Sequence, residues 1–163
     1  MKSKHSAETQ SIQWLEGAMK EALELARKAA REDEVPVGAV VVEKASGQIV
    51  GRGHNVREQA QDPLAHAEVM AIQDAAKGRK SWRLEGCALV VTLEPCPMCL
   101  GACQQSRVEQ VYYGAQDPKG GAISLGLCFH EDARLNHRFP AFFVETPECG
   151  ALLTGFFAAK RGK

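Results

Sequence analysis

The 163-residue chain lacks any charge bias: 20 Lys and Arg balance 20 Asp and Glu, for a formal net charge of zero. A strongly basic chain would point to phosphate binding over its whole surface. Here any contact with nucleic acid has to rest on a local patch. No apolar h-region follows the polar start at residues 1–10, so the sequence predicts no secretory signal. No apolar run is long enough to cross a bilayer. Internal repeats and a second domain boundary are missing as well. These absences predict one domain at residues 11–163 behind a mobile tail at residues 1–10, in the reducing cytoplasm and away from membranes. With 45% apolar and 25% charged residues, such a chain buries a core without disulfide staples.

Cysteine is not scarce. There are six, at Cys87, Cys96, Cys99, Cys103, Cys128 and Cys149. In a reducing compartment, closely paired cysteines bind metal or do redox work. The other four read as small buried apolar residues.

Periodicity supplies the elements. Leu15, Ala18, Met19, Ala22, Leu25, Ala26 and Ala29 recur on one face of a helix that begins near Ser11. Arg27, Lys28 and Arg31 complement its negative end, and Val35-Pro36 stops it. Residues 37–42 and 48–54 read as strands joined by a turn at residues 45–47. Asp62-Pro63 precedes a helix from about Ala65 to Lys77. Residues 88–93 form a third strand. Pro97 opens a helix that runs to Ser106, since proline is tolerated at a first helical position. Residues 108–114 form a fourth strand. Residues 115–138 read as a long loop with a short helix, and 141–144 as a fifth strand. Thr146-Pro147 is expected to cap a last helix through Phe156 and Phe157. This order predicts an α/β domain, a mostly five-stranded mixed sheet between helical layers.

Two short motifs carry chemistry. His66-Ala67-Glu68 opens one helix, and Pro95-Cys96-Pro97-Met98-Cys99 opens another. Residues three apart share a helix face, so Cys96 and Cys99 can grip one ion. A helix N-terminus favours the thiolate that a metal needs. His66 completes three ligands for Zn2+, which leaves one position for water. Glu68 is placed to act on that water as a general acid and base. The spacing H-x-E then P-C-x-x-C is the signature of zinc nucleobase deaminases. Two alternatives stand beside this reading. Cys96 and Cys99 alone could form a redox pair, but that gives no reason for His66 and Glu68. A closed structural zinc site would need a fourth ligand, from His54, Cys103 or His137.

The chain resembles the bacterial tRNA-specific adenosine deaminases, of the cytidine deaminase-like fold. The resemblance rests on residues 34–40, 62–68, 91–99, 113–122, 135–138 and 152–157, which span most of the chain after the tail. It implies a three-layer α/β/α fold. It implies deamination of adenosine to inosine at the wobble position of a tRNA anticodon stem-loop. It also implies one zinc per subunit and a homodimer. By motif match, Asn55 bonds the flipped nucleoside, Ala67 and Glu94 give backbone contacts to the base, and Asp117 and Lys119 contact nearby RNA. Phe157 and Arg161 meet flanking nucleotides, Phe157 through a ring able to stack on a base. Cys103-Gln104-Gln105 departs from the more apolar stretch expected there. Deamination of guanine or a free nucleotide remains the nearest alternative, because that family also tolerates Pro-Cys-Pro-Met-Cys. A non-catalytic zinc module is the alternative from another class, and Glu68 argues against it.

Overall fold

A computed structural model describes residues 4–162, with backbone alone for residues 4–12. Helix α1 (Lys4–Arg31) leads into the hairpin β1 (Gly38–Glu43) and β2 (Ile49–His54). A four-residue helix α2 (Arg57–Ala60) precedes α3 (Ala67–Arg79), β3 (Cys87–Val91), α4 (Pro97–Ser106) and β4 (Gln110–Tyr113). A 3-10 turn (Phe129–Glu131), β5 (Ala141–Phe143) and α5 (Pro147–Arg161) complete the chain.

The five strands form one sheet in the order β2-β1-β3-β4-β5. β1 runs antiparallel to β2 and β3, whereas β3, β4 and β5 are parallel. Both faces are covered, which explains why β1 and β3 read as unbroken apolar runs rather than alternating ones. In β1, Val40 and Val42 pack with Ala18, Met19 and Leu23 of α1, together with Val90 and Cys149. Ala39 and Val41 point the other way, into a cluster with Ala71 of α3, Leu100 of α4, Leu89 and Val111. The three-layer expectation is met.

Two glycines let α3 lie flat on the sheet. A Cβ at Gly53 would come within 2.4 Å of Ala67 O and Ala71 N, and one at Gly51 within 2.5 Å of Ala71 O. No side chain fits between those backbones, so β2 acts as a seat that fixes the start of α3.

Several expectations move. Helix α1 starts at Lys4, so residues 4–10, expected as a tail, continue the helix, and residues 1–3 lie outside the described residues. Lys, Ala, Glu and Gln are good helix formers, and elongation of a helix already anchored by its buried face is cheap. α3 opens at Ala67 rather than Ala65, because Asp62 instead closes a turn by accepting the Leu64 N–H at 2.9 Å. Thr146 does sit at the N-cap of α5, but its hydroxyl donates to Val144 O (2.8 Å) and does not cap the helix. Gln104 is buried despite its polarity. Its amide donates to Asn136 Oδ1 (3.0 Å), tying α4 to the long loop.

Candidate active site

The parallel strands β3 and β4 carry the chain toward one end of the sheet, where loops beyond strand C-termini ordinarily build sites. Two helices begin there. His66 is the N-cap of α3 and Cys96 the N-cap of α4, both with extended backbone, and neither side chain caps its own helix. N-caps are ordinarily Ser, Thr, Asp or Asn. His66 and Cys96 both break this preference, and they point at each other.

His66 Nδ1 lies 3.6 Å from Cys96 Sγ and 3.4 Å from Cys99 Sγ. All three donor atoms fall within 4.8 Å of one another. Tetrahedral zinc with ordinary Zn–N and Zn–S bonds places N and S about 3.5 Å apart. The donor set and its spacing therefore fit zinc. Helix N-termini repel a bare cation, so the two sulfurs must bring negative charge. Hydrogen bonding from Cys99 lowers the Cys96 thiol to about 4. The same bond, together with burial, pushes Cys99 upward. The Cys96 thiolate in turn raises His66 by accepting its hydrogen bond.

No fourth side chain joins the group among the described residues. His54 Nε2 is 2.8 Å from Glu32 Oε2, and His137 Nε2 is 2.7 Å from Val108 O. Cys103 is fully buried in the core and stands outside the cluster. With His54 and His137 bonded elsewhere and Cys103 outside the cluster, the closed-site alternative finds no fourth ligand among the described residues, and the redox-pair alternative gives no reason for His66 to meet both sulfurs.

Glu68 lies two residues into the ligand helix and is 4% exposed. Burial raises its carboxyl above the ordinary range. It shares a cavity of about 140 Å³ with His66 and Cys96. Asn55, Ala67, Glu94 and Asp117 line the same cavity, as do Val35, Val37, Arg57 and Leu93. Asn55 is held by donating to Val35 O (3.3 Å) and accepting from the Arg57 N–H (3.3 Å). The Glu94 N–H is taken by Ala115 O at 2.8 Å, and what Glu94 offers the loop around it is its carboxylate. Asp117 shapes a turn by accepting N–H bonds from Lys119 and Gly120.

A wider groove of about 750 Å³ shares Val35, Asn55 and Arg57 with the cavity. Phe156, Phe157 and Lys160 of α5 line its far side. The Phe157 ring is 44% exposed and meets Phe156 edge-on at 5.5 Å. Lys119 and Arg161 are exposed and line neither space. Sequence reasoning missed Arg57 and Glu34. Arg57 lies just past Asn55, and a lone cation beside an expected base-binding residue was the available signal. Glu34 is 1% exposed and accepts the Glu58 and Gln59 N–H groups at 3.2 and 2.7 Å, fixing α2 at the rim.

Comparison with known proteins agrees with this geometry. The description "cytidine and deoxycytidylate deaminase zinc-binding region" matches residues 12–115. The chain belongs to this deaminase family. It is 48% identical over 146 residues to a tRNA-specific adenosine deaminase of Bacillus subtilis, a match that covers 89% of both chains. Among solved structures, one from a study of A-to-I editing by tRNA:A34 deaminases at the wobble position of transfer RNA superposes with a TM-score of 0.78. It is 39% identical and covers 84% of this chain and 99% of that one. A guanine deaminase from Nitrosomonas europaea superposes with a TM-score of 0.71 at 26% identity, covering 86% of this chain and 83% of the other. Like those deaminases, this family member has its helices on both sides of a mixed sheet.

Proposed function

We infer that this chain is a zinc-dependent hydrolase that converts adenosine to inosine at the wobble position of a tRNA anticodon. The observation that carries the reading is the convergence of His66, Cys96 and Cys99 beside the buried Glu68, in a chain 48% identical to a tRNA-specific adenosine deaminase. The catalytic unit is residues 11–163, with one zinc per subunit held by His66, Cys96 and Cys99. When bound, zinc acidifies water toward neutral pH and so makes hydroxide available.

The remaining work falls to side chains. Glu68 takes the proton of the attacking water. As the new C–O bond forms at the amine-bearing ring carbon, Glu68 passes that proton to the ring nitrogen, then takes the second proton from the newly attached hydroxyl and delivers it to the leaving amine. The C–N bond breaks, and ammonia and inosine leave. A carboxyl raised by burial suits this role, because a shuttle has to hold and release a proton near the working pH.

Asn55 holds the nucleoside, with Ala67 and Glu94 against the base and Asp117 at the wall. The wide groove then takes the strand on either side of the flipped base. Phe157 offers a stacking face, and Lys119 and Arg161 serve phosphates farther out. A free purine would have little use for a groove of about 750 Å³, which favours the RNA reading over guanine deamination. The enzyme acts as a cytoplasmic homodimer. No helix among the described residues is long and apolar enough to cross a membrane.

The test is a substrate panel. Zinc-loaded protein is incubated with an anticodon stem-loop bearing a wobble adenosine, and separately with guanine, adenosine and cytidine. Inosine in the stem-loop with the free compounds untouched is the expected result. Turnover of guanine alone replaces the proposal.

A further inference from the structure

Glu94 immediately precedes Pro95 and Cys96, and the residue is 3% exposed. A buried carboxylate needs partners. None of the ion pairs among the described residues involves it. Its partners all come from one loop far along the chain. Oε1 accepts the Asp117 N–H at 3.3 Å and the Ser124 hydroxyl at 2.6 Å, and Oε2 accepts the Ser124 N–H at 2.9 Å. The carboxylate therefore holds both ends of residues 117–124. Between them the loop passes directly over it. A Cβ on Gly121 would fall 1.8 Å from Glu94 Oε2 and 2.8 Å from Asp117 O. The next residue, Ala122, donates its N–H to Pro95 O at 2.9 Å. The two residues before the first cysteine ligand thus carry the loop whose Asp117 lines the cavity together with Asn55 and Glu68.

We propose that Glu94 is a positioning residue whose side-chain carboxylate sets the Asp117 wall, and through it the fit of the base-bearing strand. This rests on the function proposed above. It goes beyond a backbone contact to the base, because it assigns the work to the carboxylate and to a loop rather than to substrate. The clamp belongs to binding more than to chemistry. It bears on Asp117 and Ser124, while Glu68 is carried by α3.

The experiment compares wild type, Glu94→Gln, Ser124→Ala and the double variant, all zinc-loaded. It reads zinc content, hydrogen exchange of the 117–124 amides, and KM and kcat on the stem-loop. Glutamine keeps the shape but replaces one acceptor oxygen with a donor that faces loop donors. Glu94→Gln is expected to keep its zinc, to exchange faster across 117–124, and to raise KM about tenfold while kcat stays nearly constant, the pattern of binding lost equally from ground and transition states. Ser124→Ala gives a smaller change in the same direction, and in the Glu94→Gln background it adds little, as coupled partners do. Unchanged loop exchange in Glu94→Gln overturns the proposal. So does a fall in kcat at constant KM, or loss of zinc. If Glu94→Gln does not fold, Ser124→Ala decides alone: faster exchange with raised KM supports the clamp, and no change in either overturns it. Should wild type leave the stem-loop unreacted, the functional reading fails, while loop exchange still decides the clamp.

Discussion

Glu68 shows how one residue takes its chemistry from its surroundings. An exposed glutamate is ionised near neutrality and is a weak base. At 4% exposure, burial penalises the charged form and raises the carboxyl, against opposing hydrogen bonds and the nearby His66. Replacement by Gln keeps the size and the neutral hydrogen bonding but removes the proposed proton shuttle. Because Glu68 is not one of the three donors, Glu68→Gln is expected to retain wild-type zinc. Its kcat on the stem-loop should fall by about 10²- to 10⁴-fold, the usual worth of general acid–base catalysis. Metal analysis alongside single-turnover kinetics checks this. Full zinc with undiminished turnover would remove Glu68 from the mechanism.

At the scale of elements, the centre depends on two helix starts aimed at one point. α4 is aimed by the strand before it, since β3 sits mid-sheet and is buried along its whole length. α3 is aimed by its contact with β2, where Gly53 lets Ala67 O and Ala71 N approach to a distance no Cβ could share. Alanine in place of glycine would gain about 0.5–1 kcal/mol from reduced chain entropy. Overpacking against backbone costs about 1–3 kcal/mol and outweighs that gain. Gly53→Ala is therefore expected to lower the unfolding midpoint and to weaken zinc retention, because His66 shifts with α3. Thermal unfolding and competition with a chelator measure the two effects. The counterpart Gly78→Ala, inside α3 with only Val50 O at 4.0 Å, should raise the unfolding midpoint slightly and leave zinc retention nearly unchanged.

For the whole molecule, how much could be read in advance depended on how local each signal was. The layered fold was legible because apolar periodicity and proline and glycine breaks are local features. The His66, Cys96 and Cys99 donors and Glu68 were legible because two short spacings place them at helix starts. The position of Asn55 and Asp117 at one cavity followed only from resemblance. Helix α2 escaped notice, since four residues show no period. The clamps made by Glu34 and Glu94 escaped as well, because their partners lie more than 20 residues away and nothing in a glutamate's neighbours marks it as buried. Lys119 and Arg161, grouped with the site only by resemblance, are exposed and stand outside the cavity and groove. The central claim is that a single metal held by one imidazole and two sulfurs makes this neutral chain a deaminase. Stripping the protein with a chelator and titrating zinc back while counting inosine at the wobble position tests it most directly. Activity is expected to vanish on stripping, to rise linearly to one zinc per chain, and to stay absent in Cys99→Ala at every zinc level. Inosine formed at the original rate by metal-free protein, or by Cys99→Ala, would contradict the account.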